Sequence, residues 1–201
     1  DDGQVRVLSN VCRHRGMLLA EGSGSTRRFV CSYHAWSYDR SGQLSAAPRM
    51  QEKGVGAKTC RLPEFRCEVW NGFIYANLDD GAIPLAPRLE ALNQVLAPYR
   101  TQGMRYVQSF EEEWQTNWKC LVENFMESYH LSVVHPKTLH PYTPTGLSRK
   151  ALSGEAFTSY CANYPDTAAT RGLGADTLRV EERRRSTLFS VFPTQIASQA
   201  A

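Results

Sequence analysis

Several features that would narrow the class of protein at once are missing from this 201-residue sequence. No run of apolar residues approaches the length of about 18 that a membrane-spanning helix needs. The formal net charge is only +3, which is too small to favour a nucleic-acid partner. The shares of hydrophobic and charged residues, 42% and 21%, are ordinary and give no sign of disorder or of a fibre. We therefore expect a globular chain that binds neither nucleic acid nor membrane.

The ends of the sequence also lack familiar signals. The chain starts with DDGQVRVLSN, without an initiator methionine or a signal-peptide pattern, and it ends with QIASQAA. Both ends look cut, so we expect this sequence to be part of a longer protein.

Cysteine and histidine are scarce, with six and five residues respectively. A disulfide-stabilised domain would be shorter and richer in cysteine. Two of the cysteines stand beside histidines, which favours metal ligands in a reducing, cytoplasmic compartment over a disulfide framework. We expect the remaining four to be inert buried thiols: Cys60, Cys67, Cys120 and Cys161.

The first eighty residues predict short strands and turns, followed by a connector. In CEVWNGFIYANL, two β-rich segments flank Asn71-Gly72, which predicts a hairpin. Residues 79–103 hold three prolines around one short helical pattern, Arg88 to Leu96. Later, PYTPTGLSRK predicts a loop, EERRRS a solvated charge run, and STLFSVFPTQIAS a strand interrupted by a proline.

A long helix is predicted from Trp114 to His135, on the basis of an apolar stripe at helical spacing. The stripe is formed by Trp114, Trp118, Leu121, Val122, Phe125, Met126 and Tyr129. At about 100° per residue, Glu123, Glu127 and His130 fall together on the opposite side. So many aromatic residues predict a helix that is central to its domain.

Two short segments near the N-terminus combine cysteine with histidine: VCRHRG contains Cys12 and His14, and VCSYHAW contains Cys31 and His34. The pattern is C-x-H, sixteen residues, then C-x-x-H. Chance is disfavoured because both residue types are scarce. Structural zinc is a second explanation, although zinc fingers usually pair like ligands, C-x2-4-C and then H-x3-5-H. A Rieske [2Fe–2S] centre is the third, because two cysteines hold one iron there and two histidines hold the other. Mixed loops suit that third arrangement best.

Two histidines, His130 and His135, stand five residues apart at the end of the predicted helix. Five positions separate side chains by about 140° on a regular helix, whereas the H-x-x-x-H spacing of zinc proteases places both on one face. The pair can converge on one metal only if the helix unwinds or bulges near Val133 and Val134, and Pro136 favours such a distortion. From the spacing alone, metal binding and two ordinary surface histidines both stay open.

The wider sequence resembles one family. CRHRG and CSYHAWSYDRSGQL are similar to the two cluster loops of Rieske domains, although Ser32 and Ala35 stand where that family usually has proline and glycine. NWKCLVENFMESYHLSVVHP resembles the mononuclear-iron motif of the Rieske non-haem iron aromatic-ring-hydroxylating oxygenases, in their large (α) subunit. VWNGFIYANLD is similar to the usual end of their Rieske domain, and the order of the motifs also matches.

This resemblance implies roles for particular residues. The cluster ligands would be Cys12, His14, Cys31 and His34. His130 and His135 would hold a mononuclear Fe(II), whose third ligand is a carboxylate from outside this chain. Glu127 would bridge that site to His14 or His34 of an adjacent subunit. Asn124 would lie near the iron, although a helix-face asparagine bonded to backbone explains it equally well. No family motif surrounds the acidic residues after His135, which are Glu155, Asp166, Asp176, Glu181 and Glu182.

The fold that the resemblance implies is α+β. A β-rich Rieske [2Fe–2S] domain would cover residues 1–80, a connector residues 81–103, and the start of a helix-grip (START-like) catalytic domain residues 104–201. The parent would be a terminal oxygenase, a homotrimer or a multiple of one. An NAD(P)H-dependent reductase, in some systems with a ferredoxin, would supply electrons. With O2 the enzyme would hydroxylate, dihydroxylate or demethylate a small organic substrate such as an aromatic hydrocarbon; the fragment alone would be inactive. Two alternatives stay open: a Rieske electron carrier fused to a binding domain, and a zinc-stabilised binding module.

Overall fold

The computed structural model of the protein describes residues 2–56, 59–168 and 176–200. The chain divides into two compact units, Asp1–Ile83 and Pro84–Ala201. Both are built on antiparallel β-sheets, and in the described residues the α-helices belong to the second unit. The predicted α+β class is therefore confirmed. Over the same described residues, no helix has the length and apolar character needed to cross a membrane.

The first unit contains two small antiparallel sheets. Its strands are, in chain order, β1 (Val7–Leu8), β2 (Arg28–Val30), β3 (Ser37–Asp39), β4 (Leu44–Ala46), β5 (Glu64–Trp70) and β6 (Phe73–Asn77). One sheet has the order β1-β5-β6 and the other the order β2-β3-β4. The β-rich start of the chain therefore contributes only a two-residue strand.

The hairpin predicted at Asn71-Gly72 is confirmed. Trp70 pairs with Phe73, so the connection between β5 and β6 is two residues long. Asn71 has φ 49° and Gly72 has φ 83°. A type I′ turn needs positive φ at both central residues, and asparagine followed by glycine adopts it most readily.

The core of the first unit includes two of the cysteines. It is formed by Cys12, Cys31, Trp36, Tyr38, Leu44, Ala47 and Leu62. Tyr38 on β3 pairs with Leu44 on β4, and both are fully buried. The two cysteines thus lie at the inner end of their loops, against the β2-β3-β4 sheet.

The second unit combines short helices with one four-stranded sheet. Its elements are α1 (Glu90–Leu96), α2 (Trp118–Phe125), α3 (Leu131–Val134), β7 (Ser148–Ser153), β8 (Phe157–Asn163), α4 (Val180–Arg183), β9 (Arg185–Val191) and β10 (Gln195–Ala200). The sheet has the order β10-β9-β8-β7 and is antiparallel throughout. The proline-interrupted strand predicted near the end of the chain is the β9–β10 hairpin, which turns at Phe192-Pro193.

The prediction of one long helix from Trp114 to His135 is wrong. Helix α2 starts at Trp118 because the Asn117 side chain caps it, accepting a hydrogen bond from the backbone N–H of Lys119 at 3.0 Å. The chain leaves the helix after Phe125 and forms only one further turn, α3. The apolar stripe is not buried in this chain either, since Trp114 is 61% exposed and Tyr129 is 86% exposed.

The run EERRRS is not simply a solvated charge run. Glu182 is buried, and its carboxylate accepts hydrogen bonds from the Arg179 guanidinium at 2.7 Å and from the Arg179 backbone N–H at 2.8 Å. The basic half of the run enters β9 at Arg185. A buried carboxylate is tolerated here because a charged partner and a backbone N–H both satisfy it.

The prediction of four inert buried thiols is also wrong. Cys60, Cys67 and Cys161 are half-buried, and Cys120 on α2 is exposed. All six cysteines are free thiols in the structure. The two that are buried are the two that have a neighbouring histidine in sequence, Cys12 and Cys31.

Candidate functional site

Two loops in the first unit have the same backbone hydrogen bonds. In the first, Cys12 N–H donates to Met17 O at 2.8 Å, and Gly16 N–H donates to Cys12 O at 3.0 Å. The second repeats the pattern: Cys31 N–H donates to the carbonyl of residue 36 at 2.8 Å, and Ala35 N–H donates to Cys31 O at 2.9 Å. The sequence therefore builds one loop geometry twice, and each loop begins at a cysteine.

The fourth residue after each cysteine has a left-handed backbone. Gly16 has φ 75° and Ala35 has φ 55°. Glycine adopts this conformation without strain, whereas an L residue with a Cβ is penalised by about 1–2 kcal/mol. Alanine in the second loop thus adopts the conformation for which glycine is the usual choice.

The thiols of Cys12 and Cys31 face each other in the core. The Cys12 side chain is a hydrogen-bond partner of the Cys31 sulfur. Burial raises the pKa of the Cys31 thiol, but hydrogen bonds from the backbone of Tyr33 and His34 and from Cys12 outweigh it, so the pKa is lowered. A lowered thiol pKa favours the thiolate, which is the form that binds a metal.

The imidazoles of the same loops lie together on the outer side. The ring centroids of His14 and His34 are 4.8 Å apart. Trp36 stacks on His14 at 4.8 Å, and Tyr33 stacks on His34 at 3.9 Å. His14 is half-buried and His34 is exposed. Burial, with help from the charges of His34 and Arg15, lowers the pKa of His14 and favours the neutral ring that a metal requires.

One residue that sequence reasoning missed touches this site. Tyr38 is fully buried, and its hydroxyl lies 3.5 Å from the Cys12 Sγ. The hydroxyl oxygen accepts a hydrogen bond from the backbone N–H of Arg13 at 3.1 Å, which leaves its own hydrogen available to the sulfur. Burial raises the pKa of Tyr38 well above its usual value, so the hydroxyl stays protonated. Nothing in its spacing from Cys12, 26 residues earlier, indicates this contact.

In the second unit, His130 and His135 lie at the two ends of α3. His130 precedes the helix and His135 follows it, and their ring centroids are 5.4 Å apart. The five-residue spacing would separate them on a regular helix. The predicted unwinding near Val133 and Val134 does not occur, because both residues lie within α3. The helix is interrupted before His130 instead, and it ends at His135, whose φ of −120° and ψ of 42° are not helical.

The Glu127 carboxylate contacts both the His130 ring and the backbone of Tyr129. One carboxylate oxygen is bonded to the His130 Nδ1, and the other accepts the backbone N–H of Tyr129. Burial raises the pKa of the Glu127 carboxyl, but the hydrogen bonds from His130 and Tyr129 outweigh it and lower the pKa. The ionised carboxylate orients the imidazole so that the Nε2 remains available to a metal.

Asn124 lines a different space. It borders a cavity of about 710 Å³ together with Trp114, Trp118, Leu121 and Phe125. Neither His130 nor His135 lines that cavity. A position of Asn124 close to a metal therefore stays a prediction.

The two donor sets fit different metal groups. In the part of the chain that the structure describes, no three histidine, cysteine or acidic side chains converge on one point. A cluster with two protein ligands on each iron needs no such group of three, and two buried thiols beside two imidazoles are the donors that it takes. The pair His130 and His135 could supply two nitrogen ligands to a single iron, which would still need a carboxylate.

The acidic residues after His135 do not complete that second set. Asp166 lies 3.4 Å from the Arg184 guanidinium, and Glu155 lies 3.6 Å from that of Arg88. Glu182 is paired with Arg179. Asp166, Glu155 and Glu182 are thus paired with arginines, and a third ligand from outside this chain stays a prediction.

Comparison with protein families gives two matches. The Rieske [2Fe–2S] domain family matches residues 1–69. The family of ring hydroxylating alpha subunits, in its catalytic domain, matches residues 101–200. The first match contains both cysteine loops, and the second contains Glu127, His130 and His135.

Curated relatives agree with both matches. The glycine betaine monooxygenase oxygenase subunit of Chromohalobacter salexigens is 30% identical over 141 residues, covering 70% of this chain and 32% of the relative. The carnitine monooxygenase oxygenase subunit of Acinetobacter baumannii is 31% identical over 141 residues, covering 67% and 38%. The large oxygenase component of the naphthalene 1,2-dioxygenase system of Pseudomonas putida is 34% identical over 148 residues, covering 69% and 33%. The matched region is therefore about a third of each relative's length.

Solved structures share the fold. A quaternary ammonium Rieske monooxygenase superposes with a TM-score of 0.78 at 23% identity, covering 96% of this chain and 51% of the other. A naphthalene 1,2-dioxygenase bound to phenanthrene superposes with a TM-score of 0.79 at 24% identity, covering 98% and 53%. The chain thus spans about half the length of these structures.

Proposed function

This chain belongs to the family of Rieske oxygenase large (α) subunits, and on that premise we propose that it accepts single electrons in its first unit and uses them at an iron in its second. The observation that carries the proposal is the matched pair of cysteine loops, with both thiols buried and both imidazoles on the outer side. Zinc fingers usually pair like ligands, whereas a Rieske cluster takes one cysteine and one histidine from each of two loops.

In the first unit, Cys12 and Cys31 are the proposed ligands of one iron, and His14 and His34 those of the other. The buried thiolates lie on the core side, where Tyr38 reaches Cys12. The imidazoles lie at the surface, so electrons would leave through them. His34 is exposed, although the Tyr33 ring stacks on it.

In the second unit, His130 and His135 are the proposed ligands of a mononuclear Fe(II), with a carboxylate from outside the residues of this chain as the third. Glu127 holds the His130 ring and would also reach a cluster histidine, His14 or His34, of an adjacent copy. A carboxylate between two imidazoles orients both rings and couples electron transfer to protonation. This arrangement requires an oligomer, and we propose a homotrimer or a multiple of one.

When bound, the cluster and the ferrous iron supply the electron transfer and the oxidation of the substrate by O2, while the protein holds them and shapes the site. The proposed partners are an NAD(P)H-dependent reductase, with a ferredoxin between it and this protein in some systems of this kind, a small organic substrate and O2, in the cytoplasm. The relatives act, by their names, on glycine betaine, carnitine and naphthalene. Hydroxylation, dihydroxylation and demethylation are all compatible with the residues of this chain.

Metal and sulfide analysis of the full-length protein, which would supply the third ligand of the mononuclear iron, tests the proposal after purification without oxygen. We expect a coloured protein with bound iron and acid-labile sulfide, and with more iron than sulfide because the second site holds iron alone. A colourless protein that contains zinc would reject the proposal in favour of a zinc-stabilised module.

The His130→Ala variant separates the oxygenase from a plain electron carrier. We expect the variant to keep its sulfide and lose the excess iron. Equal iron and sulfide in both wild type and variant would favour a carrier fused to a binding domain.

A further inference from the structure

The break between α2 and α3 is held by hydroxyl groups from elsewhere in the second unit. Where a helix stops, its last backbone carbonyls lose their partners within the helix and need others. The Tyr160 hydroxyl lies 3.3 Å from both Phe125 O and Glu127 O, and it shares its single hydrogen between them. The Thr145 hydroxyl donates to Ser128 O at 2.7 Å. Three of the carbonyls at the break are therefore tied down by two side chains.

The anchor points of these hydroxyls are themselves fixed. Tyr160 lies on β8, an inner strand of the four-stranded sheet, where it pairs with Lys150 on β7 and with Leu188 on β9. Burial, with the nearby charge of Glu127, raises the pKa of Tyr160 to about 12, so its hydroxyl remains a donor at neutral pH. Thr145 lies in the turn that leads into β7.

The break determines where the Glu127 carboxylate lies. Its backbone carbonyl accepts the Tyr160 bond, and its side chain accepts the N–H of Tyr129 and contacts the His130 Nδ1. A cavity of about 330 Å³ borders the same segment, lined by Glu127, Ser128, Ser159 and Tyr160 among others. The segment borders open space on that side, and the hydroxyl bonds are the contacts that hold its carbonyls.

Resting on the proposed function, we propose that Tyr160 and Thr145 are positioning residues, whose hydroxyls hold the carbonyls of residues 125, 127 and 128 and so fix the Glu127 carboxylate against His130. Neither residue would touch the iron or the substrate. They would act through Glu127, which sets the orientation of the His130 ring.

Two pairs of variants test this role with matched controls. Tyr160→Phe removes the hydroxyl and keeps the ring, and its control is Tyr164→Phe, whose hydroxyl shares a 2.7 Å hydrogen bond with Ser186 away from the break. Thr145→Val removes the second hydroxyl and nearly keeps the side-chain shape. Its control is Thr145→Ser, which keeps the hydroxyl. If Tyr160→Phe does not fold, the comparison of Thr145→Val with Thr145→Ser tests the positioning role by itself.

The first measurement is the NMR signal of the His130 Nδ1 proton in the oxidised protein. We expect Tyr160→Phe and Thr145→Val to weaken or lose the downfield signal of the bond to Glu127, while Tyr164→Phe and Thr145→Ser keep it. The second is the affinity for Co(II) alone, by calorimetry. We expect a loss of about tenfold in the first two variants only, as for other residues that orient metal ligands.

The outcomes separate the two proposals. If Glu127→Gln and His130→Ala leave Co(II) binding unchanged, the proposed iron site itself is wrong. If those two variants weaken binding but Tyr160→Phe and Thr145→Val behave like their controls, the iron site stands and the positioning role is overturned.

Discussion

The two candidate metal sites are held in place by different means. The cysteine loops of the first unit close on themselves through backbone hydrogen bonds between residues four and five apart, and their thiols lie in the unit's own core. The His130–His135 pair lies at the ends of a single helical turn, and distant hydroxyls hold the break before it. Local spacing therefore specifies the first site, whereas the second depends on contacts between residues far apart in the chain.

Removing a thiol from a cysteine loop should have the largest effect on the first site. We expect Cys31→Ser to abolish the visible absorption of the iron–sulfur centre completely, because the thiolate is both a ligand and part of the core. Cys120→Ser is the control, since Cys120 is exposed on α2 and should leave the absorption unchanged. Retention of a normal spectrum in Cys31→Ser would contradict the assignment of the loops.

The buried carboxylate of Glu182 tests how far the stability of the second unit depends on contacts between side chains. We expect Glu182→Gln to lower the free energy of unfolding by about 1–3 kcal/mol, because the charge-assisted bonds to Arg179 are lost. The neighbouring exposed Glu181→Gln should change it little. Urea denaturation of both variants provides the comparison, and equal midpoints would show that the pairing contributes nothing.

The pair of Arg179 and Glu182 also makes the free energy of unfolding depend on pH. The hydrogen bond from Arg179 is the main reason that the pKa of Glu182 is lowered, and burial only partly opposes it. A carboxyl pKa that is lower in the folded protein than in the unfolded chain stabilises the fold at any pH above the unfolded-state pKa, which is about 4.3. This stabilisation is lost as the pH falls through the pKa of the folded state. Wild type should therefore lose stability below about pH 4.3 more steeply than Glu182→Gln. Parallel curves would count against the ion pair.

A smaller effect sharpens the comparison between the two loops. Ala35→Gly should raise the free energy of unfolding by about 1 kcal/mol, because it relieves a left-handed alanine. Gly16→Ala should lower the free energy of unfolding by a similar amount. A Cβ at this position meets nothing within 4 Å, so the cost comes only from placing alanine in the left-handed conformation. Thermal melts of the two variants should shift in opposite directions. A shift in the same direction would mean that the loops are not equivalent.

The smallest expected change concerns Tyr38. A hydrogen bond to a ligand sulfur stabilises the reduced, more negative cluster. Removing it in Tyr38→Phe should lower the reduction potential by about 40 mV, the one-electron equivalent of about 1 kcal/mol. Tyr33→Phe is the control, because its ring stacks on His34 and its exposed hydroxyl is not needed for that contact. An unchanged potential in Tyr38→Phe would mean that the hydroxyl does not bond to Cys12.

Local patterns were sufficient to predict much of the first unit. The Asn71-Gly72 hairpin follows from the only backbone conformations that a two-residue turn allows. The convergence of Cys12 with Cys31 could be anticipated from repeated loop spacing. The contact of Tyr38 with Cys12 could not, because it depends on which way β3 faces the core.

The second unit was predicted less well, for a physical reason. The apolar stripe from Trp114 indicated one long helix, but the Asn117 cap starts α2 only at Trp118. The hydroxyls of Tyr160 and Thr145 bond to the carbonyls at the break between α2 and α3. Strand β8, which carries Tyr160, was not predicted at all. Helical periodicity describes one face of one element, and it carries no information about a hydroxyl that approaches from another.

Pulsed EPR of the reduced protein with nitrogen-15 histidine tests the central claim most directly. The account predicts a paramagnetic cluster with two histidine nitrogens coupled to it, and the loss of one of the two couplings in each of the His14→Cys and His34→Cys variants that retain a cluster. A reduced protein that shows no histidine coupling, or no EPR signal at all, would contradict the assignment of Cys12, His14, Cys31 and His34 as the ligands of a Rieske centre.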